Sequence, residues 1–226
     1  MIGADGSPAG CQVTPSFAMP PPATGTVVAM TDFAPVTLRG DLVTLEPLTL
    51  EHHDALAEAV EDGRLWTLWY TSVPRPESMR AEIERRLALQ EAGSMIPFVA
   101  RRNADDVVLG MTTYMNIDRV NVRAEIGSTW NRASTQRTGT NTESKLLLLT
   151  HAFDVVGCIA VEFRTHWMNQ QSRAAIARLG AKQDGVLRNH QRMADGSLRD
   201  TVVFSITAAE WPAVRNELRM RLDAHG

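Results

Sequence analysis

The chain of 226 residues has little cysteine, no long apolar run and no excess of positive charge. Its two cysteines, Cys11 and Cys158, are too few for a disulfide framework and are typical of a reducing compartment. No apolar run approaches the roughly 18 residues that a membrane span needs. The net charge of -3 and the pI near 6.1 predict no basic surface for nucleic acid or anionic lipid. We therefore expect a cytoplasmic protein with neither nucleic acid nor a membrane as partner.

The composition, 44% hydrophobic and 22% charged, is typical of a single globular domain. Residues 1–34 are rich in proline and glycine and have little periodicity, which predicts a flexible tail. This segment lacks the basic start and continuous apolar stretch of a signal peptide. Met30 is an alternative translation start that the sequence leaves open. Residues 35–226 are then the folded domain.

Apolar periodicity predicts alternating strands and helices in the rest of the chain. In order, we expect a first strand in two parts broken by a turn, two helices, three antiparallel strands, a helix, a strand, a helix, a hairpin and a closing helix. A helix between two strands implies a parallel, right-handed crossover, so the sheet is predicted to be mixed. The turn signals are Gly40-Asp41 in the first strand and Asp195-Gly196 in the last hairpin.

The stretch from Trp130 to Lys145 joins a predicted strand to a predicted helix through a polar turn. The strand alternates, which places five residues on one side of the sheet: Val122, Ala124, Ile126, Ser128 and Trp130. The helix has one apolar face, formed by Leu146, Leu149, Phe153 and Val156. The first amides of a helix lack intrahelical partners and carry positive partial charge, so this turn is a candidate phosphate site. Neither the P-loop nor the dinucleotide-binding glycine pattern is present.

Two motifs, one at the turn before the leucine-rich helix and one further along the chain, resemble motifs of the GCN5-related N-acetyltransferase family. Gln136-x-x-Gly139-x-Asn141 is similar to the family's Gln/Arg-x-x-Gly-x-Gly/Ala signature. Asn169-x-x-Ser172, followed by Leu179-Gly180-Ala181, is similar to the segment after the family's fifth strand, in the branch of ribosomal-protein and small-molecule acetyltransferases. The resemblance covers residues 36–224. Asn141 departs from the pattern, so its side chain either turns away from the cofactor or contacts it.

The resemblance implies an α/β (α+β) fold with a mixed, mostly antiparallel seven-stranded sheet flanked by helices. It implies acetyl-coenzyme A as cosubstrate and no metal. The residues expected at the pyrophosphate are Gln136, Arg137, Thr138, Gly139, Thr140 and Asn141. Those expected along the pantetheine arm are Ser128, Thr129 and Trp130, at a bulge, together with Asn169 and Ser172.

Acetyl transfer to an amine needs a base and a donor for the departing thiolate. The resemblance makes Ser172 the donor, and Glu125 lies near the position of a catalytic carboxylate in several family members. Alternatives stay open for each residue. Asn169 and Ser172 are favoured helix caps, Thr140 and Glu143 have capping-box spacing, and Arg123 is placed to pair with Glu125. His190 is a second candidate base, since imidazole ionises near neutral pH.

An aromatic connection contains Trp66, Trp69 and Tyr70, where the family often forms one wall of its acceptor site. The alternative is a plain core cluster. The acceptor is expected to be a primary amine of a small molecule or a protein N-terminus, and the protein a monomer or homodimer. Two functions stay open: an N-acetyltransferase that acts by direct attack, or a non-catalytic coenzyme A-binding sensor.

Overall fold

The computed structural model describes residues 32–224. The strands are β1 (Leu38–Arg39), β2 (Val43–Pro47), β3 (Met95–Arg102), β4 (Val108–Asp118), β5 (Arg123–Asn131), β6 (Ala160–His166), β7 (Lys182–Arg192) and β8 (Leu198–Thr207). The helices are α1 (His53–Glu61), α2 (Met79–Glu91), α3 (Thr140–Thr150), α4 (Gln170–Arg178) and α5 (Trp211–Asp223).

The eight strands form one sheet in the order β1-β2-β3-β4-β5-β6-β8-β7. Every neighbouring pair is antiparallel except β5 and β6, which α3 connects. The predicted mixed, mostly antiparallel sheet is therefore confirmed. It has one strand more than expected, because the turn at Gly40 folds the first predicted strand into a hairpin in which Leu38 pairs with Leu45.

Two apolar clusters cover opposite faces of the sheet. Neighbouring residues of β3 divide between them: Phe98 lies in the cluster with Leu148 and Leu218, and Val99 lies in the cluster with Leu56. Since successive strand residues point to opposite faces, the first cluster defines an α3–α5 face and the second an α1–α2 face. None of the described helices is long and apolar enough to cross a bilayer.

The buried face of α3 differs from the predicted one. Leu148 and Leu149 are fully buried, whereas Leu146 is only half-buried. A π-helical segment, His151–Val156, continues the helix with one extra residue in its turn. Lys145 lies one turn before the fully buried Leu149 and on the same face of α3, so its side chain points toward the sheet.

The domain begins earlier than predicted. Phe33, which the sequence assigned to the tail, is buried and packs edge-on against Tyr114, with ring centroids 5.0 Å apart. The domain therefore includes residues 32–34. Residues 1–31, with Cys11, lie outside the described residues, and a flexible tail there stays a prediction.

We expect the chain without residues 1–30 to be as stable as the full chain, because Phe33 remains in place. Phe33→Ala should instead lower the free energy of unfolding by about 3 kcal/mol, since it leaves a cavity beside Tyr114. Urea denaturation of the three proteins measures both effects. A shortened chain as unstable as Phe33→Ala would mean that the tail is part of the fold.

Candidate active site

A gap in the sheet separates the ends of β5 and β6. The two strands pair only from Arg123 to Glu125 on β5 and from Ala160 to Glu162 on β6. Because they run in parallel, their carboxyl ends and the helices that follow them, α3 and α4, meet at the wide end of the gap. The carboxyl ends of parallel strands are the usual place for a ligand in such sheets.

A β-bulge lies on β5 beside this gap. Gly127 pairs with Thr113 and Trp130 with Met111, so Ser128 and Thr129 together oppose a single residue of β4. Ser128 has a φ of 48°, and both residues of the bulge are exposed. The extra residue inverts the alternation beyond it. Trp130 therefore packs on the α1–α2 face, and the prediction that it shares a side with Ile126 is wrong.

Arg86 of α2 holds the bulge from the α1–α2 face. Its guanidinium is buried and donates to Thr113 Oγ1 at 2.7 Å and to the carbonyl oxygen of Ser128 at 3.2 Å. Glu82, one turn earlier on α2, accepts from Arg86 Nε at 2.7 Å. The carboxylate compensates the buried charge.

Lys145 of α3 holds the bulge from the opposite face. Its Nζ lies 2.8 Å from Thr112 Oγ1 and 2.8 Å from Thr129 Oγ1. The two hydroxyls lie 2.9 Å from each other. Lys145 has no carboxylate partner among the described residues, and burial lowers the pKa of its amine from 10.5 to about 7.

Sequence reasoning found neither of these cations. A signal for one of them was present, because Lys145 is one of only two lysines among 23 basic residues. Arginine stays charged in proteins, whereas a buried lysine can lose its proton. The burial of Arg86 on a strongly polar helix had no comparable signal.

The predicted phosphate turn leads into the start of α3. Gly139 is the N-cap with a φ of 82°, and Arg137 is also left-handed, with a φ of 66°. Gln136 N–H donates to the carbonyl of Ala133. The backbone N–H groups of residues 137–142 have no acceptor in the described part of the chain. These amides at a helix N-terminus fit an anion.

The predicted capping box at the start of α3 is wrong. No side chain caps this helix, and Thr140 Oγ1 lies 3.0 Å from Thr138 Oγ1 instead. The buried Glu143 carboxylate accepts from three backbone N–H groups of the β1–β2 turn, those of residues 41–43, at 2.7 to 2.9 Å. Instead of capping its own helix, Glu143 binds backbone about a hundred residues earlier in the chain.

The second motif forms the start of α4. Asn169 is its N-cap, and its Oδ1 accepts from Ser172 N–H at 3.0 Å. The side-chain amide N–H of Asn169 and the hydroxyl of Ser172 have no partner among the described residues. Gln171 Nε2 lies 3.5 Å from Gln136 Oε1, so the two motifs meet across the gap.

Glu125 lies on β5 where the gap opens. Its buried carboxylate accepts from Asn116 Nδ2 at 2.7 Å and lies 3.5 Å from Arg164 Nε. Burial raises the pKa of this carboxyl. The predicted alternative, an ion pair with Arg123, is wrong, since Arg123 Nη2 bonds Glu162 at 2.6 Å. Glu125 therefore retains a perturbed pKa of the kind that catalytic bases often have.

The three aromatic residues of the predicted acceptor wall divide into two groups. Trp66 packs against the apolar cluster of the α1–α2 face. Trp69 is 54% exposed, and its ring centroid lies 5.1 Å from that of His166. The Tyr70 ring lies 6.4 Å from the same imidazole. Trp69 and Tyr70 thus stand at the end of β6, beside the gap, and Trp66 does not.

His166 is a further residue that the sequence did not indicate. Its Nδ1 accepts from Met168 N–H at 3.0 Å, which places the ring proton on Nε2. That buried Nε2 has no hydrogen-bond partner in residues 32–224, and burial lowers the pKa of the imidazole. His190, the second candidate base, is exposed on β7 beside Thr201. No group of three or more potential ligands for a metal ion occurs in residues 32–224.

Comparisons with known proteins agree with this geometry. Residues 43–182 match the model of the acetyltransferase (GNAT) domain. The chain belongs to the GNAT acetyltransferase family. YdaF of Bacillus subtilis, provisionally assigned as a ribosomal N-acetyltransferase, is 31% identical over 107 residues, which are 47% of this chain and 57% of that protein.

Solved structures of the family have the same fold. The crystal structure of an acetyltransferase of T. thermophilus, also provisionally assigned, has a TM-score of 0.74 and 32% identity, covering 85% of this chain and 100% of that one. A GCN5-related N-acetyltransferase from Brucella melitensis has a TM-score of 0.73 and 31% identity, covering 84% and 86% of the two chains. The chain is therefore an N-acetyltransferase of the GNAT family.

We expect the stability of the protein to rise with pH above 7 because of Lys145. The unfolded amine keeps its proton up to its ordinary pKa of 10.5, whereas the folded amine loses it at about 7. The unfolded state therefore binds more protons between these values, and the free energy of unfolding rises by up to about 1.4 kcal/mol per pH unit. Urea denaturation at pH 7, 8 and 9 measures this slope.

The Lys145→Met variant should lack the rise of unfolding free energy with pH that Lys145 contributes. The control is Lys182→Met, which removes an exposed lysine and should keep the slope of the parent. Equal slopes in all three proteins would contradict a neutral Lys145.

Proposed function

We propose that the protein transfers the acetyl group of acetyl-coenzyme A to a primary amine by direct attack. The observation that carries this proposal is the gap between β5 and β6, with the free amides of residues 137–142 at its mouth. The family uses acetyl-coenzyme A, and the free amides and the gap suit its pyrophosphate and its extended arm.

The turn before α3 would hold the pyrophosphate. The amides of residues 137–142 supply the donors, and the left-handed Arg137 and Gly139 shape the concave turn. The side chains of Gln136, Thr138, Thr140 and Asn141 are the proposed secondary contacts. Asn131 Nδ2 lies 3.4 Å from Asn141 Oδ1, which holds this side chain toward β5.

The opened edge of β5 would hold the pantetheine arm. The backbone of Ser128, Thr129 and Trp130 has no strand partner across the gap in the described sheet. Amide groups of an extended arm can pair with such an edge in the manner of an added strand. On the opposite side, Asn169 has a free side-chain amide N–H to donate.

Glu125 would accept the proton of the amine, and Ser172 would stabilise the sulfur as the carbon–sulfur bond breaks. Bound acetyl-coenzyme A supplies the activated acetyl thioester. Glu125, with its raised pKa, accepts the proton of the attacking amine, directly or through a water molecule. The free hydroxyl of Ser172 donates a hydrogen bond to the sulfur as the thiolate departs.

The acceptor would bind on the α1–α2 face, between Glu125 and the Trp69–Tyr70 pair. Trp69 and Tyr70 present aromatic surface there. The unpartnered Nε2–H of His166 could donate a hydrogen bond to an oxygen atom of the acceptor substrate. Small amines and protein N-termini both supply the primary amine that this reaction needs. A panel of small primary amines and short peptides with free N-termini, assayed for coenzyme A release, identifies the class.

Gly139→Glu should weaken acetyl-coenzyme A binding at least about tenfold, roughly 1.4 kcal/mol, by steric exclusion and charge repulsion at the pyrophosphate. The matched control is Gly157→Glu, because Gly157 also has a positive φ, of 80°, and lies at the far end of the same helical segment. Calorimetry on both variants separates loss of the site from backbone strain. Parent-like affinity in Gly139→Glu would place the phosphate site elsewhere.

Glu125→Gln should lower kcat by about a hundredfold and remove the acid limb of the pH profile, because that limb would be the protonation of Glu125, whose pKa burial raises. Glu162→Gln is the control, since Glu162 belongs to the same ion cluster but is paired with two arginines. It should keep the limb. If the limb survives in Glu125→Gln and disappears in His190→Gln, the base is His190.

A further inference from the structure

Lys145 is a buried titratable group for which the proposed reaction has no role. Its Nζ is enclosed between α3, β4 and β5, and its hydrogen-bond partners within residues 32–224 are two threonine hydroxyls. The chain otherwise uses arginine for nearly all its basic residues, and the second lysine, Lys182, is exposed. An arginine at position 145 could not become neutral, whereas a lysine can.

No ionised side chain compensates a charge on Lys145 in the described structure. On β4 and β5 it meets Thr112 and Thr129. On α3 itself, the Glu143 carboxylate is bound by the backbone of the β1–β2 turn. The nearest cation on the other face of the bulge, Arg86, is bound to Glu82.

The position of Lys145 relative to the phosphate turn makes its charge sensitive to a ligand. It lies five residues after Thr140, the first residue of α3, which is about 7.5 Å along the helix axis. The positive end of the helix dipole and the free amides lie at this end of α3. A pyrophosphate bound to those amides would add negative charge near Lys145, which favours the ammonium form.

We propose that Lys145 is neutral in the free protein and takes up a proton when a coenzyme A thioester binds. This inference rests on the proposed function, since it places the pyrophosphate at the start of α3. The resulting ammonium stands behind the bulge and donates to Thr129, beside the edge that would hold the cofactor arm. Lys145 thereby acts as a positioning residue and offsets part of the cofactor's negative charge.

The direct test is NMR of protein labelled with [13C]lysine, because only two lysine side chains contribute signals. The Cε shift of Lys145 should titrate near pH 7 in the free protein, as its pKa of about 7 requires. Saturating coenzyme A should raise the midpoint by about one unit or more. Lys182 is the internal control and should stay charged throughout. A Lys145 charged up to pH 9 in the free protein, or a midpoint unmoved by bound coenzyme A, overturns the proposal.

Calorimetry in two buffers of different ionisation enthalpy gives an independent readout. At pH 8 the parent should take up roughly half a proton per coenzyme A bound, and its affinity should fall several-fold from pH 7 to pH 8.5. Lys145→Met should bind with no buffer dependence, as should Lys145→Gln, which serves if the methionine variant fails to fold. Buffer dependence equal to that of the parent in these variants refutes the role of Lys145.

The two proposals fail in different ways. Binding of coenzyme A without any change at Lys145 leaves the proposed function intact and refutes only the proton uptake. Absence of any binding heat at millimolar coenzyme A refutes both.

Discussion

The β-bulge at Ser128 and Thr129 is the feature on which the rest of the site depends. The extra residue bends β5 away from β6, so that their pairing ends at Glu125 and a gap opens. A bulge leaves backbone groups unpaired and is not self-stabilising. Here two buried cations hold it, Arg86 from the α1–α2 face and Lys145 from the α3–α5 face. Side chains of α2 and α3 thus stabilise the bulge beside the gap.

The two cations have different electrostatic properties. Arg86 is neutralised by Glu82 and remains an ion pair. Lys145 has only hydroxyl partners, and its neutral form satisfies them without a buried charge. The bulge therefore has one permanent charge and one that depends on its surroundings. Under the proton uptake that we propose, the charge behind β5 would follow the occupancy of the turn before α3.

The two sides of the gap divide the chemistry between them. The N-termini of α3 and α4 meet on one side and present free donors, the backbone of residues 137–142 and the side chains of Asn169 and Ser172. The α1–α2 face carries Glu125 and the aromatic pair around His166. The free donors and the buried carboxylate thus lie on different sides of the gap.

The sequence alone determined the order of the elements, the mixed sheet and the position of the turn before α3. These follow from periodicity and from residues adjacent in the chain, such as the Asn169 cap of α4, so local physics fixes them. The tertiary structure decided the partners of the charged side chains. Glu143 bonds the β1–β2 turn and not its own helix, and Arg123 pairs with Glu162 and not with Glu125.

The bulge, the π-helical segment and the burial of Phe33 also had no signal in the sequence. The bulge adds one residue to β5, and a shift of one residue exchanges the buried and exposed sides of a strand. Trp130 changed faces for this reason. The sequence therefore determined which segments form the site, and packing between distant segments determined which side chains face it.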